Sequence, residues 1–202
     1  MLKVGITGGI GSGKSVVCQV FETLGIPVFY ADTAAKFLME HDRELQQKIK
    51  SAFGEGIFTN GKLNTSVLSS IIFSDTDKRQ VLNSLVHPAT IRYSSEWMKR
   101  QTTPYVIKEA AILFESGSYK EMDIIIGVSA PHKMRLERAM HRDNAPASKI
   151  EARMLTQMDE GEKMKRCHFV ITNDGKQAII PQVLQLHQTL LNLVASKSFN
   201  EE

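Results

Sequence analysis

The sequence predicts an α/β fold, a five-stranded parallel sheet flanked by helices, and three observations carry that expectation. Short apolar runs alternate with longer helical patterns, the mark of a parallel sheet wrapped by helices. Several of those runs are β-branched, as in Ile124-Ile125-Ile126, which suits strands buried on both faces. The first run passes straight into GITGGIGSGK at 5–14, where five glycines fall within ten positions. Glycine costs roughly 0.5–1 kcal/mol against alanine inside regular structure. Such crowding marks either a flexible leader or a place where the backbone must approach something that side chains would block.

Taken in order, strands are expected at 2–7, 27–30, 105–108, 123–128 and 169–172. A first helix over 13–24 should stop at Gly25, because glycine readily takes the left-handed conformation that ends a helix. The interval between the second and third strands is almost wholly helical, with helices expected at 33–53, 64–73, 75–86 and 88–100. His87-Pro88 divides the last two, since proline suits a first helical turn and not an interior. A second helical stretch, 131–166, precedes the last strand, and the polar tail beyond Ala195 is expected to fray.

Composition bounds the rest. A chain of 202 residues with 42% hydrophobic and 23% charged residues suits one ordinary domain. No apolar run approaches the roughly 20 residues needed to cross a bilayer, and no basic-then-apolar leader opens the sequence. The expectation is a soluble, cytosolic protein. Cys18 and Cys167 lie far apart without metal-ligand spacing, and are expected to be reduced and buried. A net charge of +3 gives no firm pointer to nucleic acid, and it fits a protein whose ligands carry several phosphates.

The glycine-rich stretch has a specific form. Gly8-Gly9-Ile10-Gly11-Ser12-Gly13-Lys14-Ser15 fits G-x-x-x-x-G-K-[ST], placed between a strand and a helix as that motif requires. Bare N–H groups there converge on an anion at a positive helix end, so the fold expected is that of the P-loop NTPases. Gly8, Gly11 and Gly13 let the chain curl round a phosphate, Lys14 reaches the β and γ oxygens, and the Ser15 hydroxyl is placed to ligate Mg²⁺ accompanying ATP.

Binding a nucleotide does not name the reaction. A GTPase should carry N-K-x-D and a D-x-x-G after the third strand, and neither string occurs. A motor ATPase should carry a strand ending in Asp, commonly followed by Glu; Tyr105-Val106-Ile107-Lys108-Glu109 offers one carboxylate without such a pair. The helical insertion and an arginine-rich late helix favour a small-molecule kinase with an acceptor site and a lid. Asp32 stands just past the second strand, at the sheet edge where ligands of open parallel sheets sit. It reads equally as a general base or as the N-cap of a helix starting at Thr33. Arg135, Arg138 and Arg142 form one stripe of a helix over 131–142, read either as a solvated face or as phosphate-meeting cations. Arg153 and residues 163–166 add positive charge.

Several segments together resemble one family, the dephospho-CoA kinases. GITGGIGSGKS is similar to the family's opening, ADTAAKFL to its aspartate segment, and LVHPATIR to its His-Pro segment followed by arginine. EAAILFES resembles its Pro-Leu-Leu-Phe-Glu segment, while RLERAMHRD, RMLTQM and FVITND resemble its lid and last strand, bringing in Gln157. Two departures stand out. Ala111 occupies the usual place of proline and is expected to loosen the turn, and Arg135 stands where glutamine is common, so it receives no catalytic role.

The resemblance implies transfer of the ATP γ-phosphoryl to the ribose 3′-hydroxyl of dephospho-CoA, the last step of coenzyme A synthesis. Its nearest competitor is a nucleoside or nucleotide kinase with another acceptor; a non-catalytic nucleotide-dependent interaction protein is a more distant one. Catalytic roles fall to Asp32, Lys14 and Arg142. Nucleotide binding falls to Gly9, Ile10, Gly11, Ser12, Gly13, Lys14, Ser15 and Val16 with Arg138, Arg142 and Asn173; acceptor binding falls to Asp32, His87, Arg92 and Glu109; Ser15 holds Mg²⁺. The expected organisation is one domain, 1–202, with 33–103 as a helical acceptor subdomain and 131–166 as a helical lid. The implied partners are ATP and dephospho-CoA, without nucleic acid or membrane, and oligomeric state is left open.

Overall fold

In the computed structural model, which describes residues 1–59 and 62–199, the central strand is β1 (Leu2–Thr7), buried at every position but Lys3. It leads through the glycine-rich loop into α1 (Lys14–Thr23), which ends where predicted: Gly25 takes a left-handed φ of 79°, and the Ile26 N–H reaches back to Phe21 C=O. The edge strand β2 (Val28–Tyr30) follows.

The expected helix over 33–53 is two helices, α2 (Ala31–His41) and α3 (Arg43–Phe53). Asp42 makes the break. Its carboxylate accepts from the N–H groups of Glu44 (3.0 Å) and Leu45 (3.1 Å), capping α3. Because α2 already begins at Ala31, with Tyr30 at the cap position, Asp32 lies in the first helical turn and is not the N-cap of a helix starting at Thr33. A two-stranded antiparallel sheet, β3 (Phe58–Thr59) with β4 (Lys62–Leu63), was not anticipated.

After α4 (Thr65–Ser74), the expected break at His87-Pro88 does not occur. One helix, α5 (Thr76–Lys99), runs through Pro88. An interior proline removes one backbone hydrogen bond and costs about 3 kcal/mol in an isolated helix. Here Leu82, Val86 and Ala89 are buried on either side of it, in a core shared with Leu38, Leu45, Ile49, Ile57, Leu63 and Leu68. Each such apolar side chain contributes roughly 1.5–3 kcal/mol, so tertiary packing outweighs the local penalty.

Beyond these helices come β5 (Tyr105–Glu109) and β6 (Ile124–Ser129). The helical stretch expected over 131–166 holds α6 (His132–Asp143), where a helix over 131–142 was expected, α7 (Ala147–Met154) and α8 (Glu160–Lys165). Asn144, in the left-handed region at φ 46°, ends the first of them. The last strand is β7 (Phe169–Thr172), followed by a helix the sequence reading did not assign, α9 (Ile179–Phe199). Val183, Leu186 and Leu190 are its buried face, a helical spacing. The helix continues past Ala195, where fraying was expected; residues 200–202 lie outside the described residues.

The main sheet has strand order β2-β5-β1-β6-β7 and is parallel. Leu2 is opposite Tyr105, Val4 opposite Ile124, and Ile126 opposite Phe169. Its core is built from Val4, Ile6, Val106, Ile107, Ile126 and Val128, closed by Val17, Phe21, Val183 and Leu190. The chain forms two compact units, Met1–Phe29 with Arg100–Glu202, and Tyr30–Lys99. Among the described residues no helix is long and apolar enough to cross a membrane. Both cysteines are free; Cys18 is buried and Cys167, expected to be buried, is only partly so. Burial is the main cause raising both thiols, Cys167 to about 11.

Candidate active site

The loop between β1 and α1 stands at the carboxyl end of the central strand. Gly11 and Gly13 have left-handed φ values of 77° and 95°, conformations an L side chain rarely adopts. The space at the glycines is already taken. A Cβ on Gly9 would overlap the Arg135 guanidinium, one on Gly11 the Arg135 backbone carbonyl, and one on Gly13 the Asn173 amide. The glycines therefore let the protein grip its own loop from outside while leaving the helix N-terminus open to an anion.

Lys14 is the first residue of α1, and its ammonium folds back over the loop. It donates to Gly8 C=O (2.9 Å) and Gly9 C=O (3.3 Å), with the Glu109 carboxylate at 3.9 Å. Glu109 ends β5, beside β1 in the sheet, so strand register sets this charge pair. Ser15 and Val16 are exposed on the first turn of α1, where helix N–H groups lack intrahelical acceptors; the Val16 N–H closes a turn on Gly13 C=O.

Other loop groups are held by distant side chains. Asn173, just past β7 and buried, donates from its amide to Ser12 C=O at 2.8 Å and accepts from Arg138 at 3.3 Å. The N–H groups of Gly9 and Ile10, both predicted to meet nucleotide, donate instead to Glu160 (3.1 Å) and Gln157 (3.0 Å). Glu160 had no place in the sequence prediction, because no local pattern links it to a loop 151 positions away.

The arginine stripe of α6 divides into three environments. Arg135, only 8% exposed, pairs with Glu160 at 3.1 Å. Arg138 meets Asn173 at the loop. Arg142 is exposed and makes two hydrogen bonds to Asp143 (2.7 and 3.1 Å), which Arg153 also contacts. The Arg142 guanidinium, with Arg153 behind it, holds the Asp143 carboxyl down at about 2. The positive charge expected from 163–166 is largely spoken for. Lys163 is fully buried, donating to Ala111 C=O (2.8 Å) and Glu115 (3.0 Å); Lys165 pairs with Glu162; and Arg166 lies over the Phe114 ring at 4.2 Å. The Ala111 C=O, in the turn after β5, is thus held by Lys163.

In the helical unit, Asp32 and Arg92 are exposed and His87 is half-buried. Burial lowers the His87 pKa below the ordinary imidazole value, favouring the neutral ring at pH 7. Arg92 lines a cavity of about 190 Å³ with Asp42, Glu44, Lys48 and Pro88, while His87 is not among its lining residues. Five positions apart on α5, the two side chains leave the helix in different directions.

The family model for dephospho-CoA kinases matches residues 2–178. The chain belongs to the dephospho-CoA kinase family. A dephospho-CoA kinase of Bacteroides fragilis is 40% identical over 186 residues, covering 92% of this chain and 91% of the relative. One from Porphyromonas gingivalis is 37% identical over 191 residues, covering 94% and 95%. A Thermus thermophilus protein of solved structure superposes with a TM-score of 0.83 at 32% identity, covering 93% of this chain and 96% of the other. Members of the dephospho-CoA kinase family are ATP-dependent kinases of the last step of coenzyme A biosynthesis.

Proposed function

We propose that this chain transfers the γ-phosphoryl group of ATP to the ribose 3′-hydroxyl of dephospho-CoA, releasing ADP and CoA. The observation that supports it most is the phosphate loop at the end of β1 with Lys14 folded across it, in a chain of this family. In this reading loop N–H groups other than those of Gly9 and Ile10, with the positive end of α1, bind the polyphosphate. Lys14 exchanges its carbonyl partners for γ-phosphoryl oxygens, and Arg138 and Arg142 meet the charge that spreads over the equatorial oxygens during transfer. Asp32 takes the proton of the acceptor hydroxyl as its oxygen bonds to phosphorus; the bond from phosphorus to the β–γ bridging oxygen breaks, and ADP leaves. His87, Arg92 and Glu109 serve the acceptor, whose place is the helical stretch 33–103.

Magnesium fits the donor set. An ion that prefers phosphate oxygens, water and a hard oxygen ligand would be held by the exposed Ser15 hydroxyl, and when bound would offset phosphate charge. The stretch 131–166 serves as the lid. Arg135 and Lys163, near its two ends, are buried, and Gln157 and Glu160 bond the phosphate loop. With two free cysteines and a net charge of only +3, the reading places the protein in the cytosol, without nucleic-acid or membrane partners.

Incubating the protein with ATP and Mg²⁺ and, in parallel, dephospho-CoA, nucleosides and nucleoside monophosphates tests the acceptor. Turnover of dephospho-CoA alone is expected; turnover of a nucleoside with none of dephospho-CoA overturns the assignment. Within the lid, Arg142→Ala is expected to lower kcat about tenfold or more while changing ADP affinity less, because its Asp143 pair must open to reach a charge that develops only during transfer. Equal losses in kcat and ADP affinity would make Arg142 a ground-state ligand.

A further inference from the structure

We propose that Glu160 and Arg135 form a charge-neutral clamp that positions the phosphate loop, with Glu160 holding the Gly9 N–H and Arg135 cancelling a carboxylate that would otherwise repel the nucleotide. The proposal rests on the loop being a nucleotide site, and does not depend on which acceptor is used.

The geometry carries it. One oxygen of Glu160, the first residue of α8, accepts from both Gly9 N–H and Arg135 Nη1, each at 3.1 Å. Gln157 takes the next N–H, that of Ile10, and Asn173 holds Ser12 C=O. Three loop residues are thus fixed by side chains at least 147 positions away, so the loop's curvature is imposed from outside as well as by its glycines. Two of these holders, Gln157 and Asn173, are neutral amides; Glu160 is the one of the three that brings a negative charge beside a polyanion site. An unopposed carboxylate there would weaken nucleotide binding. Arg135 meets that charge directly and presses against Gly9 and Gly11.

The pair is not built for stability. Arg135 Nε and Glu160 Oε1 are buried and without hydrogen-bond partners among the described residues, and a buried ion pair left incompletely satisfied contributes little net stability. Its remaining use is to set the position of the Gly9 peptide, whose neighbours form the cradle, while leaving the local field near zero. Arg135 and Glu160 are therefore positioning residues, and the sign of their coupling is predicted.

Calorimetric titration of ADP into the full chain and three variants tests this. Arg135→Gln should weaken ADP binding about tenfold, because the carboxylate is left uncancelled. Glu160→Gln alone should tighten it about threefold, since the amide oxygen can still accept from Gly9 while Arg135 keeps its charge. Combining the two should recover most of the loss caused by Arg135→Gln. In steady state the Arg135→Gln effect should fall on KM for ATP and leave KM for dephospho-CoA unchanged. A purely structural pair predicts instead that Arg135→Gln lowers the melting temperature, with recovery in the double variant, while the folded protein keeps its ADP affinity. That pattern, wild-type ADP affinity in Arg135→Gln, a double variant no better than Arg135→Gln, or weaker binding in Glu160→Gln overturns the proposal. Should Arg135→Gln fail to fold on thermal melting, the near-isosteric Glu160→Gln decides alone. Wild-type turnover of dephospho-CoA, measured alongside, keeps this outcome separate from that of the proposed reaction.

Discussion

Replacing Lys14 with alanine is expected to lower kcat about 10³-fold. The ammonium is almost fully buried and lies within hydrogen-bond reach of Gly8 and Gly9 C=O, 3.9 Å from Glu109. It therefore starts as a preorganised cation, oriented by the loop before nucleotide arrives. Removing one preorganised donor that meets developing charge costs about 2.7–4 kcal/mol, or 10²–10³ in rate. Here the donor carries a full charge, and its loss also leaves Glu109 less neutralised beside the polyphosphate, which places the effect at the upper end. The rate should fall further than ADP affinity, since the γ-phosphoryl group that Lys14 serves is absent from ADP. Stopped-time assays of CoA formation together with calorimetric ADP titration check this. A loss of ADP affinity as large as the loss of rate would assign Lys14 to ground-state binding.

What the sequence displayed well was whatever is written in short spans. Ile124-Ile125-Ile126 marks a strand covered on both faces, and β6 is that strand, one residue displaced. The run 8–15 defines its own strand–loop–helix setting, which the structure reproduces between Thr7 and Lys14. Where local rules misled, packing had the larger energy. Pro88 is a helix breaker by its own chemistry, yet the buried stripe through Leu82, Val86 and Ala89 carries α5 past it. Other features were present in the letters but weak. Asp42 is a good N-cap inside a long helical pattern, and the spacing of Val183, Leu186 and Leu190 was helical. The grip on the phosphate loop was not legible at all. Nothing near Gly9 announces Glu160, and nothing near Arg135 tells a buried partner from an exposed charge; only the fold brings these together.

Asp32→Asn is expected to reduce kcat by 10²–10⁴-fold, about the range attributed to a positioned general base, with thermal stability nearly unchanged. The structure sharpens this test by removing one rival role. An N-capping aspartate would accept a backbone N–H, but α2 begins at Ala31 with Tyr30 in the cap position, and Asp32 is an exposed residue of the first turn. Its remaining structural contribution is a negative charge near a helix N-terminus, worth about 0.3–1 kcal/mol at an exposed site. Losing that would move the melting temperature by a few degrees at most, and would not alter turnover measured well below the melt. The amide keeps nearly the same shape and can still accept a hydrogen bond from the acceptor hydroxyl, so KM for dephospho-CoA should change little. What the amide cannot do is take the proton. Melting temperature, KM and kcat measured on one preparation therefore separate the two roles: a fall confined to kcat supports the base, whereas a small stability loss with kcat within a factor of three leaves Asp32 only its charge at the helix end.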